Sequence, residues 1–309
     1  MSSATSEKGR LESLLKDEVF VLTAEITPRL TASSDDILEQ VRPLKGLADA
    51  INVTDGAGAR VAMSSLAASA LLVQDGIEPV LQMTCRDRNR IAIAADLIGA
   101  SALGIHNLLA LTGDDPKVGD EPDAKPVFDM SSRNILELAH GLTSDGQTAS
   151  GRALRSPASL FPGAADAPFD PPADWRPDGL LDKVSAGARF IQTQFCYDPA
   201  IVERYLVVLA DHGILDQAGI IIGVGPIASA KSAHWMNANL YGVTIPDATI
   251  RRIEGAADES AEGLAICVEL IQAYEQMTGV SGVHVMAPAQ KPERAAEAIE
   301  ASGVLKARK

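Results

Sequence analysis

Carboxylates and side-chain amides stand at the ends of several short apolar runs in this chain, where a buried strand would leave the core. In "NLLALTGDDP" (107–116), the hydrophobic residues stop just before Asp114. Glu25 ends an earlier run in the same way, and Gln194 ends a later one. A carboxyl group can transfer a proton or stabilise positive charge, and an amide offers both a donor and an acceptor. These groups suit the binding of a flat, polar heterocycle.

Several other chemistries are not indicated by the sequence. No two histidines cluster, and the carboxylates at the run ends have no histidine beside them, so we predict no metal site. There is no nucleophile elbow with a Ser-His-Asp order and no phosphate-cradling P-loop. Cys85, Cys196 and Cys267 are far apart and lack paired metal-ligand spacing, which favours a reducing cytoplasm over a disulfide framework.

The composition restricts the class of partner. The formal net charge of −14 argues against nucleic acid or an anionic membrane, because such surfaces need clustered Lys and Arg. No basic-then-apolar leader opens the chain, and no apolar stretch is long enough to cross a bilayer. We therefore expect a soluble cytoplasmic protein that binds a small molecule.

Short apolar runs alternate with longer amphipathic segments, which predicts eight β-then-α units and a (β/α)8 TIM barrel. A doubly wound open sheet is the alternative, although no G-x-G-x-x-G follows the first run. The predicted strands lie in "VFVLTAEI" (19–26), "DAINVTDGAG" (49–58), "EPVLQMTC" (78–85), "GIHNLLALTG" (104–113), "ASLFPGAAD" (158–166), "ARFIQTQF" (188–195), "AGIIIGVGP" (218–226) and "GVHVMAP" (282–288).

We predict one catalytic barrel domain over 19–305, preceded by an N-terminal tail and lead-in over 1–18. The Pro-, Gly- and Ser-rich segment 143–180 predicts long loops around the fifth strand, and 247–277 predicts a helix. In a barrel the C-terminal ends of the strands converge on one mouth, bordered by long loops, where active sites lie. Glu25, Asp114 and Gln194 should therefore meet there.

Seven segments of the chain match one known family and keep that family's order: "AEITPR" (24–29), "NVTDGAG" (52–58), "TCRDRNR" (84–90), "GIHNLLALTGDDP" (104–116), "VSAGARFIQTQFCYD" (184–198), "GIIIGVGPIAS" (219–229) and "GVTIP" (242–246). Through them the chain resembles the methylenetetrahydrofolate reductase family, from about Val19 to the last strand. That family has a (β/α)8 barrel with a flavin, usually FAD, across the strand ends. It passes a hydride between NAD(P)H and the one-carbon bridge of folate, and it forms homo-oligomers.

The resemblance implies roles for the residues at the run ends. Glu25 would donate the proton that opens the methylene ring of the folate to an iminium. Asp114 would lie beside the flavin and the folate and stabilise the positive iminium. Gln194 would hydrogen-bond the pterin. Ala230 replaces an aromatic residue that stacks on substrate in some relatives, so Tyr197 or Met286 would make that contact instead.

The resemblance also implies a set of flavin contacts. Thr54, Gln82 and Lys183 align with positions that touch the ring, the ribityl chain or the phosphates, and Lys183 would pair with the pyrophosphate. "RDRNR" (86–90) suggests a phosphate patch, although a salt-bridged surface is the interpretation we favour. The remaining predicted contacts at the rim are Asp55, Thr112, Gly113, Asp114, Ala165 and Asp166.

Three departures from the best-known branch leave alternatives open. Thr112 replaces an arginine, Gln82 replaces a histidine, and a tyrosine expected near the end of the fifth strand is replaced around Asp166. A flavin-independent reductase of the same family therefore stays a candidate. A barrel that binds methyltetrahydrofolate and transfers its methyl group is a second alternative, and a non-catalytic subunit that binds folate or flavin is a third. The sequence does not fix the direction of the reaction or the choice between NADH and NADPH.

Overall fold

The computed structural model describes residues 9–287 and 291–308. The strands are β1 (Val21–Ile26), β2 (Ala50–Val53), β3 (Pro79–Thr84), β4 (Asn107–Leu111), β5 (Phe161–Asp166), β6 (Phe190–Phe195), β7 (Gly219–Val224) and β8 (Gly282–Val285). The helices are α1 (Arg10–Lys16), α2 (Ser34–Val41), α3 (Ser65–Gln74), α4 (Arg90–Ala102), α5 (Ser132–His140), α6 (Asp178–Ser185), α7 (Pro199–Asp211), α8 (Ala230–Asn239), α9 (Asp247–Glu254), α10 (Glu259–Glu275), α11 (Pro292–Ser302) and α12 (Val304–Ala307).

The eight strands form a closed parallel barrel in chain order, and helices follow the strands on the outside. β1 pairs with both β2 and β8, with Thr23 opposite Ala50 on one side and His284 on the other. This closure confirms the predicted (β/α)8 barrel and excludes the open sheet. The fifth strand, Phe161–Asp166, is present between two long loops.

Alternate residues of each strand face opposite sides of the barrel wall. Leu22, Ala24 and Ile26 of β1 belong to the large buried cluster that includes residues of the surrounding helices. The intervening residues Thr23 and Glu25 therefore point into the barrel interior. The apolar runs of the sequence are explained by this packing, because the outer face of each strand lies under a helix.

An apolar plug fills the end of the barrel where the strands begin. The plug comprises Leu11, Val21, Ala50, Val80, Leu109, Phe161, Phe190 and Ile221, all buried. The rings of Phe161 and Phe190 stack with centroids 5.5 Å apart. Gly163 makes room for this stack, because a Cβ at that position would lie 2.3 Å from the ring of Phe190. The plug leaves the opposite end of the interior for polar side chains.

Helix α1 lies within the segment that we predicted as tail and lead-in. Leu11 of this helix is fully buried in the plug, and the Glu78 carboxylate accepts hydrogen bonds from the backbone N–H groups of Arg10 and Leu11. A helix of only two turns gives a weak periodic signal, and tertiary contacts stabilise it. Residues 1–8 of the predicted tail, and Pro288 at the end of the last predicted strand, lie outside the described residues.

The prediction of a single helix over 247–277 is wrong, because two helices occupy this range. α9 ends at Glu254, and α10 begins after Asp258, whose side chain caps the new helix by accepting from the N–H of Ala261. An aspartate that caps a helix N-terminus is a start signal within a continuous amphipathic pattern. In the described part of the chain, no helix has the length and apolar character needed to cross a membrane.

Candidate functional site

A layer of polar side chains lies inside the barrel between the apolar plug and the mouth at the C-terminal strand ends. Its members come from strands around the barrel and are mostly buried, as their alternation along each strand requires. The layer comprises Thr23, Glu25, Asn52, Thr54, Gln82, Gln192 and His284. Polar groups in a barrel interior that are close to the mouth are placed to meet a ligand.

Glu25 is held at the mouth by one of its two carboxylate oxygens. Gln82 donates a hydrogen bond of 2.9 Å from Nε2 to Oε2 of Glu25, and Nε2 of His284 lies 3.6 Å from the same oxygen. The Glu25 side chain is 25% exposed, whereas that of His284 is 4% exposed. Oε1 of Glu25 makes no hydrogen bond to any residue within the described ranges. One oxygen is thus anchored and the other is available to a ligand.

A hydrogen-bonded chain continues below Glu25 toward the plug. Nδ1 of His284 lies 3.0 Å from Oγ1 of Thr23, and Nε2 of Gln192 donates to that hydroxyl at 3.2 Å. Gln192 and Asn52 also form a reciprocal amide pair, with bonds of 2.7 and 3.1 Å. The interior between plug and mouth is therefore an ordered polar network.

Thr54 contributes an unpaired hydroxyl to the same layer. The residue is 4% exposed, and its Oγ1 is buried without a hydrogen-bond partner in the described structure. A buried hydroxyl with no partner is destabilising by about 1–3 kcal/mol, so such groups commonly have a ligand or ordered water as partner. The side-chain carbonyl oxygen of Gln82 is also unbonded among the described residues. The Thr54 hydroxyl and the Gln82 amide together fit the polar edge of a flavin ring.

Gln194 and Met286 lie at the ends of β6 and just after β8, on the interior sides of their strands. Both are partly buried. Oε1 of Gln194 accepts a hydrogen bond from the N–H of Phe195, while its amide nitrogen has no partner among the residues that the structure describes. Gly242 lies in the segment after α8, next to Gln194. A Cβ atom at position 242 would be 4.0 Å from Cγ of Gln194. The segment "GVTIP" thus reaches the β6 exit.

Tyr197 is enclosed by protein. It is 4% exposed, its hydroxyl donates to the carbonyl of Gly225 at 3.1 Å, and its ring stacks on Phe195. Burial raises the pKa of the phenol well above its ordinary value, and neighbouring thiols add to the effect. Phe195, which is less buried, covers the side of this tyrosine, so the predicted contact of Tyr197 with substrate stays a prediction.

Asp114 joins two loops at the mouth. Its Oδ2 accepts a hydrogen bond of 2.9 Å from the N–H of Gly58, in the loop after β2, and its side chain is exposed. Gly113 permits this turn because its φ is +94° and a Cβ there would lie 2.9 Å from Thr84. Thr112 is exposed, and its carbonyl accepts from Cys85. The structure shows no contact between Asp114 and either Glu25 or Gln194.

Asp55 is engaged inside the protein. Its carboxylate accepts hydrogen bonds from Arg88 at 2.7 and 3.1 Å, from the N–H and hydroxyl of Thr84, and from Ser65. Burial alone would raise the pKa of Asp55. The hydrogen bonds and positive charge of Arg88, together with the two hydrogen bonds from Thr84, lower the pKa below its ordinary value. This environment fits a structural ion pair, and a contact of Asp55 with the flavin stays a prediction.

The "RDRNR" segment is a set of ion pairs. Arg86 pairs with Asp87, Arg88 pairs with Asp55 and Asp96, and Arg90 pairs with Asp129. Each guanidinium therefore has a carboxylate partner within the chain. This pairing agrees with the salt-bridged interpretation of the segment.

The β5 exit carries a second engaged pair. Nζ of Lys183 donates to the carbonyl of Ala165 at 2.7 Å and lies 4.0 Å from Oδ1 of Asp166. Asp166 in turn accepts a hydrogen bond from the hydroxyl of Tyr205, on α7. Lys183, which the sequence predicts to bind the flavin pyrophosphate, is thus paired with protein groups. The residues of this chain therefore fit the flavin ring better than they fit the flavin phosphates.

A groove on the surface lies away from the mouth. Its volume is about 910 Å³, and it runs along the outside of the barrel between α4 and α5, where Ile91, Ile98 and Arg152 are among its lining residues. None of the residues of the interior polar layer borders it. We place the candidate site at the mouth, because that is where groups able to transfer protons converge.

The hydrogen bonds among the interior residues were not predicted from the sequence. The sequence assigns no role to Asn52 or Thr23, and it predicts that Gln82 contacts a flavin, with no indication of its bond to Glu25. The signal that would identify them is positional, because each lies an even number of residues from a plug residue or from Glu25 on its own strand. Pairing across the barrel interior depends on the stagger of the strands, which no local pattern reveals.

A sequence profile of the family described as methylenetetrahydrofolate reductase matches residues 10–302. Methylenetetrahydrofolate reductase 2 of Schizosaccharomyces pombe is 27% identical over 214 residues, which cover 68% of this chain and 33% of that protein. The probable methylenetetrahydrofolate reductase (NADPH) of Caenorhabditis elegans is 25% identical over 276 residues, which cover 84% of this chain and 39% of that protein. This chain thus spans well under half the length of these two relatives.

A solved protein from Clostridium thermocellum has a similar fold. It is described as uncharacterized and as binding two copies of 5-methyl-5,6,7,8-tetrahydrofolic acid. The TM-score is 0.66 at 14% sequence identity, and the match covers 97% of this chain and 100% of that one. At this identity the likeness shows the shared barrel alone.

Proposed function

The chain belongs to the methylenetetrahydrofolate reductase family, and we propose that it interconverts 5,10-methylenetetrahydrofolate and 5-methyltetrahydrofolate. In the reducing direction NAD(P)H supplies a hydride to the methylene carbon, and one proton is taken up. The reverse direction would oxidise methyl-folate during one-carbon catabolism. We also propose a homo-oligomer, which the family resemblance implies, and a cytoplasmic location, which the widely separated cysteines favour.

The observation that carries this proposal is the state of Glu25. Its Oε2 is anchored by Gln82, and its Oε1 stands at the mouth without a partner among the described residues. The folate reaction needs a proton on a ring nitrogen so that the five-membered methylene ring opens to an iminium. A carboxyl group held on one side and free on the other can deliver that proton, and a positioned general acid of this kind is worth about 10²–10⁴-fold in rate.

Gln194 and Asp114 would act on the folate in different ways. The unbonded amide nitrogen of Gln194 can donate to a pterin edge, while its carbonyl oxygen already accepts from Phe195. Asp114 provides a negative charge near the mouth, fixed by its bond to Gly58, which favours a positive iminium. Met286 would supply an apolar contact. Tyr197 would act through Phe195, against which its ring stacks.

A flavin, FAD in most of the family, supplies a carrier that accepts and returns a hydride when it is bound. In this chain Thr54 and Gln82 would hold the polar edge of its ring, since the Thr54 hydroxyl has no partner in the described structure. The loop bearing Thr112, Gly113 and Asp114 would border it. Ala165, Asp166 and Lys183 would contact its outer part only if the pairing of Lys183 with the β5 exit were broken.

A flavin-independent reductase is the second candidate, and the pairing of Lys183 favours it. The Lys183 ammonium is already bound to the Ala165 carbonyl, so binding a pyrophosphate there requires that hydrogen bond to be lost. In this version the nicotinamide would occupy the mouth beside the folate. Glu25 would have the same role in both versions, because the proton requirement belongs to the folate.

The absorbance spectrum of the purified protein tests the proposal and separates its versions. A flavin spectrum that NAD(P)H bleaches and methylenetetrahydrofolate restores supports the flavin-dependent reductase. Oxidation of NAD(P)H by methylenetetrahydrofolate without any flavin, bound or added, supports the flavin-independent one. The proposal fails if neither reaction occurs with FAD supplied, and methyl transfer from methyltetrahydrofolate to a thiol or corrinoid would then identify the methyltransferase alternative.

A further inference from the structure

We propose that a one-directional hydrogen-bond chain, from Gln192 through Thr23 to His284, determines which oxygen of Glu25 carries the transferable proton. The proposal rests on the function proposed above and adds an assignment at the level of single atoms. Oε2 of Glu25 is the anchored oxygen, and Oε1 is the acidic one. Thr23 and His284 are positioning residues, because they act through Glu25 and not on the substrate.

The direction of the chain is set at its lower end. Nε2 of Gln192 has two hydrogens, and it donates one to Oδ1 of Asn52 and the other to Oγ1 of Thr23. Oε1 of Gln192 accepts from Asn52 in return. The Thr23 hydroxyl therefore receives a hydrogen bond from below, and its own hydrogen must be donated to another group.

The Thr23 hydrogen has two acceptors within reach. The carbonyl of Val283 lies at 3.4 Å, near the limit for a hydrogen bond, whereas Nδ1 of His284 lies at 3.0 Å. Donation to Nδ1 requires that this nitrogen carry no hydrogen. A neutral imidazole then has its hydrogen on Nε2, the nitrogen that faces Glu25. A threonine hydroxyl thus selects the tautomer of the histidine above it.

The selected tautomer places two donors at the same oxygen of Glu25. Gln82 already donates to Oε2, and Nε2 of His284 lies 3.6 Å from the same oxygen. That distance is slightly longer than a hydrogen bond, and such contacts commonly tighten when a substrate is bound. Two donors favour the unprotonated, more negative oxygen at Oε2. A proton on Glu25 therefore resides on Oε1, which has no partner in the described structure and stands at the mouth.

The tautomer of His284 is measurable without any turnover. In protein labelled with ¹⁵N-histidine, protonated and unprotonated ring nitrogens give separate signals, and the signals missing from a His284→Asn sample identify this residue among the five histidines. We expect a neutral ring with its hydrogen on Nε2. A hydrogen on Nδ1, or a doubly protonated ring, would reverse or break the chain and overturn the proposal. Because this measurement needs no folate, it stands even if the proposed reaction is absent.

Paired substitutions test the effect on catalysis. A glutamine at 284 places an amide near the position of Nε2, whereas an asparagine places one near Nδ1. We expect His284→Gln to keep kcat within a few-fold and His284→Asn to lower it about tenfold, a small part of what a positioned acid contributes. Thr23→Ser should retain kcat, and Thr23→Val should lower it while KM changes little. His234→Asn, at an exposed position on α8, is the matched control.

A purely structural role predicts a different pattern. Equal losses in His284→Gln and His284→Asn, or in Thr23→Ser and Thr23→Val, would overturn the proposal, since the donor direction would then not matter. If a valine variant does not fold, the tautomer in the unsubstituted protein still decides the question. If neither the unsubstituted protein nor any variant turns over folate, the proposed function fails. The ¹⁵N signals of His284 would still test the direction of the hydrogen-bond chain.

Discussion

The side-chain amide of Gln82 donates a hydrogen bond of 2.9 Å to Oε2 of Glu25, linking β3 to β1 through the barrel interior. The two strands are separated by β2 in the wall, and side chains of alternate strands meet at one height in barrels of this kind. The bond connects the residue proposed as the folate acid with a residue expected to touch the flavin. A ligand that contacts Gln82 would therefore be coupled, through this hydrogen bond, to the protonation and orientation of Glu25.

The substitution Glu25→Gln should separate the two halves of the proposed reaction. The glutamine keeps an oxygen for Gln82 to bond but cannot transfer a proton. We expect folate turnover to fall by about 10²–10⁴-fold, while reduction of bound flavin by NAD(P)H is largely retained. Stopped-flow absorbance measures both. Glu203→Gln, at an exposed position on α7, should change neither, and equal losses in both half-reactions would contradict the role of Glu25.

The unpaired hydroxyl of Thr54 leads to a prediction that separates thermal stability from flavin affinity. Thr54→Val removes a buried polar atom that has no partner among the described residues, so the melting temperature should stay the same or rise. The dissociation constant for the flavin should increase roughly fivefold, which corresponds to a hydrogen bond of about 1 kcal/mol. Thermal unfolding and flavin fluorescence titration measure the two effects.

Thr143 provides the matched control for that substitution. Its hydroxyl is also buried without a partner in the described structure, but it lies after α5, away from the mouth. Thr143→Val should change thermal stability in the same sense and leave flavin affinity unaltered. If both valine variants bind flavin as the unsubstituted protein does, Thr54 has no part in the cofactor site.

The fold was predictable because its signals are local and repeated. Each strand has an apolar outer face under a helix, which produces a run of hydrophobic residues that the sequence displays directly. The exceptions are short or continuous segments. α1 has two turns and gains its stability from burying Leu11 in the plug, and the break between α9 and α10 depends on the capping of α10 by Asp258.

The site was predictable only in part, for a geometric reason. The positions of Glu25, Gln82 and Gln194 at strand ends follow from the alternation of the strands. Their partners do not, because a hydrogen bond across the barrel depends on stagger and on side-chain length. Asp55 illustrates the limit: it stands at a strand end like Glu25, yet the guanidinium of Arg88, from the next loop, engages its carboxylate.

Asp114 has two separable properties, a negative charge and a hydrogen bond to Gly58. Asp114→Asn removes the charge and keeps an acceptor for the Gly58 N–H. If the charge stabilises the iminium, this variant should slow the folate half-reaction by about tenfold or more, since preorganised charge is a large catalytic term. The flavin reduction potential should also shift. Stopped-flow kinetics and a potentiometric titration measure the two effects.

Asp120 offers a control on the same pair of loops. Its carboxylate accepts from the N–H of Val61 at 3.0 and 3.2 Å, so it also joins the loops after β2 and β4. Asp120→Asn should leave the folate half-reaction nearly unchanged. Similar rate losses in the Asp114 and Asp120 variants would mean that loop attachment, and not charge at the mouth, is what matters.

The buried pair of Asp55 and Arg88 predicts an acid-sensitive contribution to stability. The pKa of Asp55 is lower in the folded protein than its ordinary value, because Arg88 and Thr84 outweigh the effect of burial. As the pH falls below about 4 the unfolded chain takes up a proton at this position before the folded protein does. The stabilisation from Asp55 is therefore fully present at neutral pH and is lost as the pH falls through the folded-state pKa.

Asp55→Asn should remove that contribution at all pH values. Arg88 would keep only its pair with Asp96, so we expect the free energy of unfolding at pH 7 to fall by about 3 kcal/mol, as for other buried pairs that lose one partner. Urea unfolding at pH 7 and at a series of pH values below about 4 measures it, and the difference between variant and unsubstituted protein should shrink as the pH falls through the folded-state pKa of Asp55. Asp182→Asn, which breaks an exposed pair with Arg133, should cost less than about 1 kcal/mol. A loss for Asp55→Asn no larger than that would show that the neutral amide satisfies Arg88 and Thr84 as well as the carboxylate does.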